Sequence, residues 1–185
     1  HVIKAADPNS IPQAWHEFYG EPKYDLSTLV KLIKAKPEAP IPSIHAHAGG
    51  FIDFEPELER LLDEVDPSLL KICFDTGHHS YAGFDPVAFM QRHIDRISYM
   101  HFKDIDPAVK ADVVANRTDF YEACGQGIFC NLGQGDVDFP EVRTALVEAG
   151  FDGWCTVEQD CDPTMDVRPI DDARANREYL TSIGF

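Results

Sequence analysis

The chain has 185 residues, 44% hydrophobic and 26% charged, enough for one domain with a substantial core. Its 32 acidic residues against 16 basic leave a formal charge of −16, and Lys31, Lys34 and Lys36 form only a short basic helix end, so no nucleic-acid partner is expected. No apolar run approaches the roughly 20 residues that span a bilayer, so no membrane partner is expected either.

The N-terminus lacks the basic, apolar and small-residue order of a signal peptide. The chain starts at His1 rather than Met, which suggests that an upstream part has been removed. The five cysteines, Cys73, Cys124, Cys130, Cys155 and Cys161, are odd in number and lack CxxC spacing; they read as reduced, structural thiols of a cytoplasmic protein.

Residues 1–25 carry a weak strand signal at Val2–Ala6 and turn chemistry at Asp7-Pro8-Asn9-Ser10. Leu26–Lys36 has helical spacing, with Leu26, Leu29, Val30 and Ile33 on one face, and Pro37, Pro40 and Pro42 end it. From there a βα rhythm runs to the C-terminus. A strand over 41–47 precedes a helix over 55–65 with Leu58, Leu61, Leu62 and Val65 inward. A strand over 69–75 precedes a helix over 85–95 that opens at Asp85-Pro86. A strand over 96–101 leads into a long connection, 104–135, with one helix near 107–123. Asp138 caps a helix over 139–149 that closes at Gly150; a strand over 153–158 and a helix over 171–182 follow. Alternating elements of this kind predict an α/β fold with a parallel sheet and right-handed crossovers. The fold class is a parallel (β/α) TIM-barrel type. Four βα units are clear, with a weak signal for a fifth strand at the start, against the eight of a closed barrel. Residues 1–185 are therefore expected to form a single, incomplete or shortened barrel domain with its early βα units missing. The exposed sheet edges of such a barrel call for a partner, which a homo-oligomer would provide.

Each of the four strands ends in a residue able to hold a metal ion, and a parallel barrel gathers such ends on one face. Asp75-Thr76-Gly77-His78-His79 places a carboxylate at a strand end and an imidazole three residues on, one for a metal and one beside substrate; the plainer alternative is a capped turn with His78 packed. His101-Phe102-Lys103-Asp104 offers an imidazole ligand, with Lys103 or Asp104 touching substrate or orienting a ligand. Glu158-Gln159-Asp160 ends the last strand and offers a further carboxylate ligand; a solvated loop is the rival explanation. His45 and His47, two apart on a strand, face the same side; His47, nearer the end, is the preferred ligand, with His45 as substrate contact, supporting residue or core. Leu132-Gly133-Gln134-Gly135-Asp136-Val137-Asp138 lacks the lysine of a phosphate loop and reads as a tight turn into a helix. Phe120-Tyr121 and Phe129-Cys130 are aromatic for a loop, as a substrate lid or as packing on the barrel rim.

Taken together, His45-Ala46-His47-Ala48-Gly49, Asp75-Thr76-Gly77-His78, His101-Phe102-Lys103-Asp104, the Leu132–Phe139 turn and Gly150-Phe151-Asp152-Gly153-Trp154 with Val157-Glu158-Gln159-Asp160 resemble the xylose-isomerase-like barrel superfamily. Within it they look most like the inosose dehydratase branch, over residues 41–185. The resemblance implies a divalent metal held by His47, Asp75, His101 and Glu158, with His78 matching a residue that contacts substrate oxygen. Ketose epimerases of the superfamily carry a glutamate where this chain has His47, and that departure favours elimination or isomerisation over two-base epimerisation. The implied activity is proton abstraction next to the carbonyl of a small keto-polyol or keto-sugar, with Glu158, a nearby histidine or Lys103 as base and His78 as acid. The mixed nitrogen and oxygen ligand set points to Mn²⁺ or Co²⁺, with Zn²⁺ and Mg²⁺ as alternatives, and away from Ca²⁺. Rival readings are a sugar or sugar-phosphate isomerase or epimerase, a β-eliminating enzyme of 3-keto-glycosides, and a catalytically silent truncated barrel that binds a sugar or a partner. A DNA-repair nuclease is disfavoured by the acidic charge.

Overall fold

The structure, a computed structural model, describes residues 30–31, 34–35, 41–50, 52–162, 164–165 and 168–185. The strand expected over Val2–Ala6, the turn at Asp7–Ser10 and most of the Leu26–Lys36 helix lie outside these; within that last span Val30, Lys31 and Lys34 are helical and Val30 is buried.

Four parallel strands, β1 (Ser43–Ile44), β2 (Lys71–Asp75), β3 (Ile97–Phe102) and β6 (Trp154–Val157), form one sheet in that spatial order. Helices α1 (Glu55–Glu64), α3 (Pro86–His93), α6 (Phe139–Glu148) and α7 (Pro169–Ser182) follow its strands. The outward faces of the strands carry Ile72, Phe74, Met100 and Phe102, which pack with Leu58, Leu61, Phe89, Met90, Phe139 and Val142 into the main core. The inward faces carry Cys73, Asp75, Tyr99 and His101, so the alternation of each strand sends chemistry to one side and packing to the other. Among the described residues no helix is long and apolar enough to cross a membrane.

Local chemistry accounts for most boundaries. Glu57, in the first turn of α1, reaches back to accept from the backbone N–H groups of Asp53 and Phe54. At the other end Arg96, buried, donates to the carbonyls of Leu62, Val65 and Leu70. Asp85 accepts from the Val87 and Ala88 amides and starts α3. Gly150, at φ +65°, closes the turn after α6 where a side chain would be strained.

Three expectations are corrected. The first strand pairs only at Ser43–Ile44, against Lys71–Ile72, so the chain leaves the sheet before its histidines. Between the expected strand 69–75 and helix 85–95, where no element is expected, stands a six-residue buried helix, α2 (Thr76–Tyr81). The single helix expected over 107–123 is two, α4 (Pro107–Asn116) and α5 (Phe120–Gly125). Arg117 takes a left-handed conformation, φ 55°, which ends α4, and Asp119 then accepts from the Tyr121 and Glu122 amides to start α5. A short antiparallel pair, β4 (Asp104–Ile105) with β5 (Phe129–Cys130), ties this insertion to the end of β3. Under it lies a second core of Ala48, Phe54, Tyr81, Ile105, Val113, Phe120, Ile128 and Phe129.

Candidate metal centre

The end of β2 gives Asp75 two separate duties. Its Oδ1 accepts from the His78 amide at 2.8 Å and caps α2. Its Oδ2 is buried and, among the described residues, makes no well-formed hydrogen bond. Register places His101 of β3 beside it, with Nδ1 3.5 Å from Asp75 Oδ2 and 3.2 Å from Glu158 Oε1. Glu158 is held at the end of β6 by its amide, which donates to the Phe102 carbonyl. From the end of β1, His45 Nε2 reaches to 3.7 Å from Asp75 Oδ2. Donor atoms of Asp75, His101 and Glu158 all lie within 4.8 Å of one another. Among the described residues, His45 Nε2, Asp75 Oδ2 and His101 Nδ1 are buried without a well-formed hydrogen bond, both rings standing 3.5–3.7 Å from the carboxylate oxygen. Each such atom costs about 1–3 kcal/mol if nothing satisfies it, so three converging on one space argue for a cation there. Burial alone would raise the Asp75 carboxyl; the facing His101 and His45 rings and the nearby Lys103 ammonium outweigh it and hold it well below the usual carboxylate range. Two imidazoles with two carboxylates could hold a divalent ion of the Mn²⁺, Co²⁺ or Zn²⁺ type.

Beside these donors stands Lys103, only 1% exposed. Its Nζ lies 2.9 Å from Asp160 Oδ2, 3.1 Å from Glu158 Oε2, 3.4 Å from Asp75 Oδ2 and 2.9 Å from His78 Nε2. The Phe129 ring closes the far side, 4.9 Å from Nζ to its centroid. Thr76 pins the backbone of Lys103 from both directions, donating to its carbonyl and accepting from its amide. Burial lowers the Lys103 ammonium, but Asp75, Asp160 and Glu158 together raise it above its ordinary value. Burial pushes His78 well below the usual imidazole range, against the opposing pull of Asp75. An ammonium only donates, so His78 Nε2 accepts; the Ala48 amide, 3.4 Å from Nδ1, is the longer contact and gives way. His47 lies with its ring centroid 3.8 Å from that of His78, and its Nδ1 is 2.8 Å from the Ala48 carbonyl, so Nδ1 carries the proton.

Of the residues expected from sequence, Asp75, His101 and Glu158 thus come together, and Lys103 and His78 stand beside them. His47 joins a different group, with donor atoms of His78 and Asp160 within 4.8 Å, and it is His45 that approaches Asp75. Sequence reasoning missed the weight of Asp160, whose only signal is its position two residues past a strand end. It also missed Gly77: a Cβ there would lie 2.6–3.0 Å from the Lys103 stem, so glycine clears the path that brings Nζ to the centre. Cys73 Sγ lies 3.5 Å from His101 Nε2, behind the ligand face. Burial, with the charges of Asp75 and Glu158, pushes its thiol up to about 12, and all five cysteines are free.

Asp104, considered from sequence as a substrate contact or ligand orienter, faces away. It is fully buried and accepts from the amides of Ile105, Gly133, Gly135 and Val137. The Leu132–Asp138 turn is therefore wound around one carboxylate, and a Cβ at Gly135 would collide with that side chain and the Ile105 carbonyl. Gln159 also turns outward, accepting from Asn176 of α7 and donating to the Phe129 carbonyl. Phe120 packs against His47 and His78, and Phe129 against His78, forming a wall of the site, while Tyr121 is exposed.

The model of the family described as xylose isomerase-like TIM barrel matches residues 26–183. An inosose dehydratase of Geobacillus kaustophilus (strain HTA426) is 37% identical over 136 residues, 74% of this chain and 44% of that protein. One of Clostridium tetani (strain Massachusetts / E88) is 34% identical over 155 residues, 84% and 51% respectively. The chain thus spans about half the length of the curated relatives it matches. Among solved structures, the probable 3-DHS dehydratase AsbF of Bacillus anthracis superposes with TM-score 0.64 at 22% identity, over 84% of this chain and 55% of that one. The IOLI protein with a bound zinc atom superposes with TM-score 0.59 at 15% identity, over 85% and 54%. At these identities the structural likeness speaks to the fold, and the parallel strands with chemistry at their C-terminal ends are that fold's arrangement. The match across most of the sequence decides the assignment: this chain belongs to the xylose isomerase-like TIM barrel family.

Proposed function

We infer that the protein is a divalent-metal-dependent lyase of the sugar dehydratase and isomerase kind, acting on a keto-polyol or keto-sugar, with inosose as the best-supported substrate. The observation that carries this reading is the meeting of three unpaired buried donors, on His45, Asp75 and His101, with Glu158 and the Lys103 ammonium alongside. The inosose dehydratases among its relatives support the choice of substrate, and their length makes the whole protein's activity part of this proposal. Residues 1–185 are read as one domain, with a small-molecule partner and a cytoplasmic location.

In this reading His45, Asp75, His101 and Glu158 hold the ion, and His47 stands outside the set. When bound, Mn²⁺, Co²⁺ or Zn²⁺ would act as a Lewis acid on the substrate carbonyl and the hydroxyl beside it. Glu158 takes the proton from the carbon next to the carbonyl. The electron pair of that C–H bond becomes the new C=C bond as the neighbouring C–O bond breaks. Lys103 gives its proton to the departing hydroxyl, which leaves as water. The 3.1 Å contact between Lys103 Nζ and Glu158 Oε2 then returns the proton from Glu158 to Lys103 and restores the starting state. His78, expected from sequence to be the acid, is instead the neutral acceptor that steers the ammonium, with Asp160 on its other side. Phe120 and Phe129 keep water from this side of the site.

Protein stripped with EDTA and returned to Mn²⁺, Co²⁺ or Zn²⁺ should convert 2-keto-myo-inositol to a conjugated product seen as metal-dependent enone absorbance. Glu158→Gln should lower the rate by about 10³-fold, the usual range for a lost general base. Absence of that absorbance with all three ions would overturn the dehydratase reading.

A further inference from the structure

We propose that Lys103 is the second cation of a two-cation centre: its ammonium stands where a divalent ion would otherwise bind, and His47, His78 and Asp160 are the ligands that ion would find. The inference concerns what the lysine excludes, and so goes beyond the catalytic reading above.

Four acceptor atoms on four side chains surround Nζ, at 2.9 Å (Asp160 and His78), 3.1 Å (Glu158) and 3.4 Å (Asp75). An ammonium has only three protons, so the cage offers more acceptors than it can use. One of the four is an imidazole nitrogen, a donor typical of transition-metal sites. His78 Nε2 is bare because it accepts from Lys103, and His47 Nε2 is bare because Nδ1 gives its proton to the Ala48 carbonyl. Both rings are therefore already in a metal-binding tautomer. With Asp160 they offer donor atoms within 4.8 Å of one another; His78 is also within that distance of His45 and Asp75, so the two cation positions adjoin at His78 and Asp75. The rings are held from behind by Phe120, whose centroid is 5.4 Å from that of His47 and 5.7 Å from that of His78.

Charge explains why the lysine wins in the native protein. Asp75, Glu158 and Asp160 bring three negative charges to one space, and one divalent ion plus one ammonium neutralises them. A lysine tethered at the end of β3 and threaded past Gly77 needs no free ion to fill its place, so a second ion would have to outcompete a cation already held there. In exchange the site keeps a transferable proton at that position, which a second metal ion would not supply.

Isothermal titration of EDTA-stripped protein with Zn²⁺ tests this. Wild type should bind one ion per chain, Lys103→Met two, and Lys103→Met with Asp160→Ala one again. Equal stoichiometry in wild type and folded Lys103→Met overturns the proposal, as does a wild type that takes two. A wild type that binds none would defeat the ion-binding part of the catalytic reading, whereas a gain of one ion in Lys103→Met would still sustain this one. Should circular dichroism show Lys103→Met unfolded, His47→Ala decides. It should leave the wild-type Zn²⁺ affinity within about threefold, and any larger loss would place His47 on the first ion and overturn the assignment.

Discussion

Lys103 shows how much of this site depends on a residue that has no side chain. Gly77 lies over the Lys103 stem, and any Cβ there must push the lysine aside. Gly77→Ala should cut turnover by about 100-fold, the scale of a roughly 1 Å misplacement, while leaving affinity for the first metal ion nearly unchanged. Steady-state kinetics beside metal titration would separate the two effects. Asp53 gives a second prediction at this scale. Burial, reinforced by Glu57, raises its carboxyl to about 7 although the Gly49 and Gly50 amides donate to it. The folded state thus binds more protons than the unfolded chain between about 4 and 7, so this group weakens the fold as pH rises through that window. Urea midpoints measured from pH 4 to 7.5 should fall less steeply in Asp53→Asn than in wild type. Single residues were partly legible beforehand. Asp75, His101 and Glu158 drew attention because each closes an apolar run, a local pattern. Between His45 and His47 the local cue, nearness to the strand end, favours His47, and the structure brings His45 to Asp75 instead.

At the scale of elements, the ends are governed by side chains that reach across sequence. Arg96 sits between α3 and β3 yet satisfies carbonyls at the end of α1 and the start of β2. Arg96→Met should destabilise the fold by about 3 kcal/mol, because three buried carbonyls lose a charged donor; chemical denaturation would read this as a lower midpoint with unchanged slope. Asp104 does the same for the Leu132–Asp138 turn, accepting from its Gly133, Gly135 and Val137 amides as well as from Ile105. Asp104→Asn puts an NH₂ against those donors and should cost about 2 kcal/mol, with faster amide exchange confined to residues 132–138. Helices α1, α3 and α6 were legible because apolar spacing and caps such as Asp85-Pro86 and Asp138 lie within each segment. The split between α4 and α5 was not, because Arg117 carries no marker of left-handed backbone. Nor was α2, too short for periodicity to register.

At the scale of the whole molecule, charge and the proposed ion link these parts. With −16 net charge and three carboxylates around the centre, cation binding should contribute strongly to stability. Free metal at 100 times Kd should add about 2.7 kcal/mol, a rise in Tm of roughly 5–10 °C by thermal shift, and Asp75→Ala should abolish that rise. The parallel βα order, the four strand ends facing one side and the acidic character follow from the amino-acid order alone, since periodicity and composition are properties of contiguous residues. Which histidine meets Asp75 does not. Pairing of Ser43–Ile44 with Lys71–Ile72 stops the first strand early and brings His45 level with Asp75, while His47 passes on to His78. Register between distant strands sets that height, and register is a balance of contacts among segments that no single stretch contains.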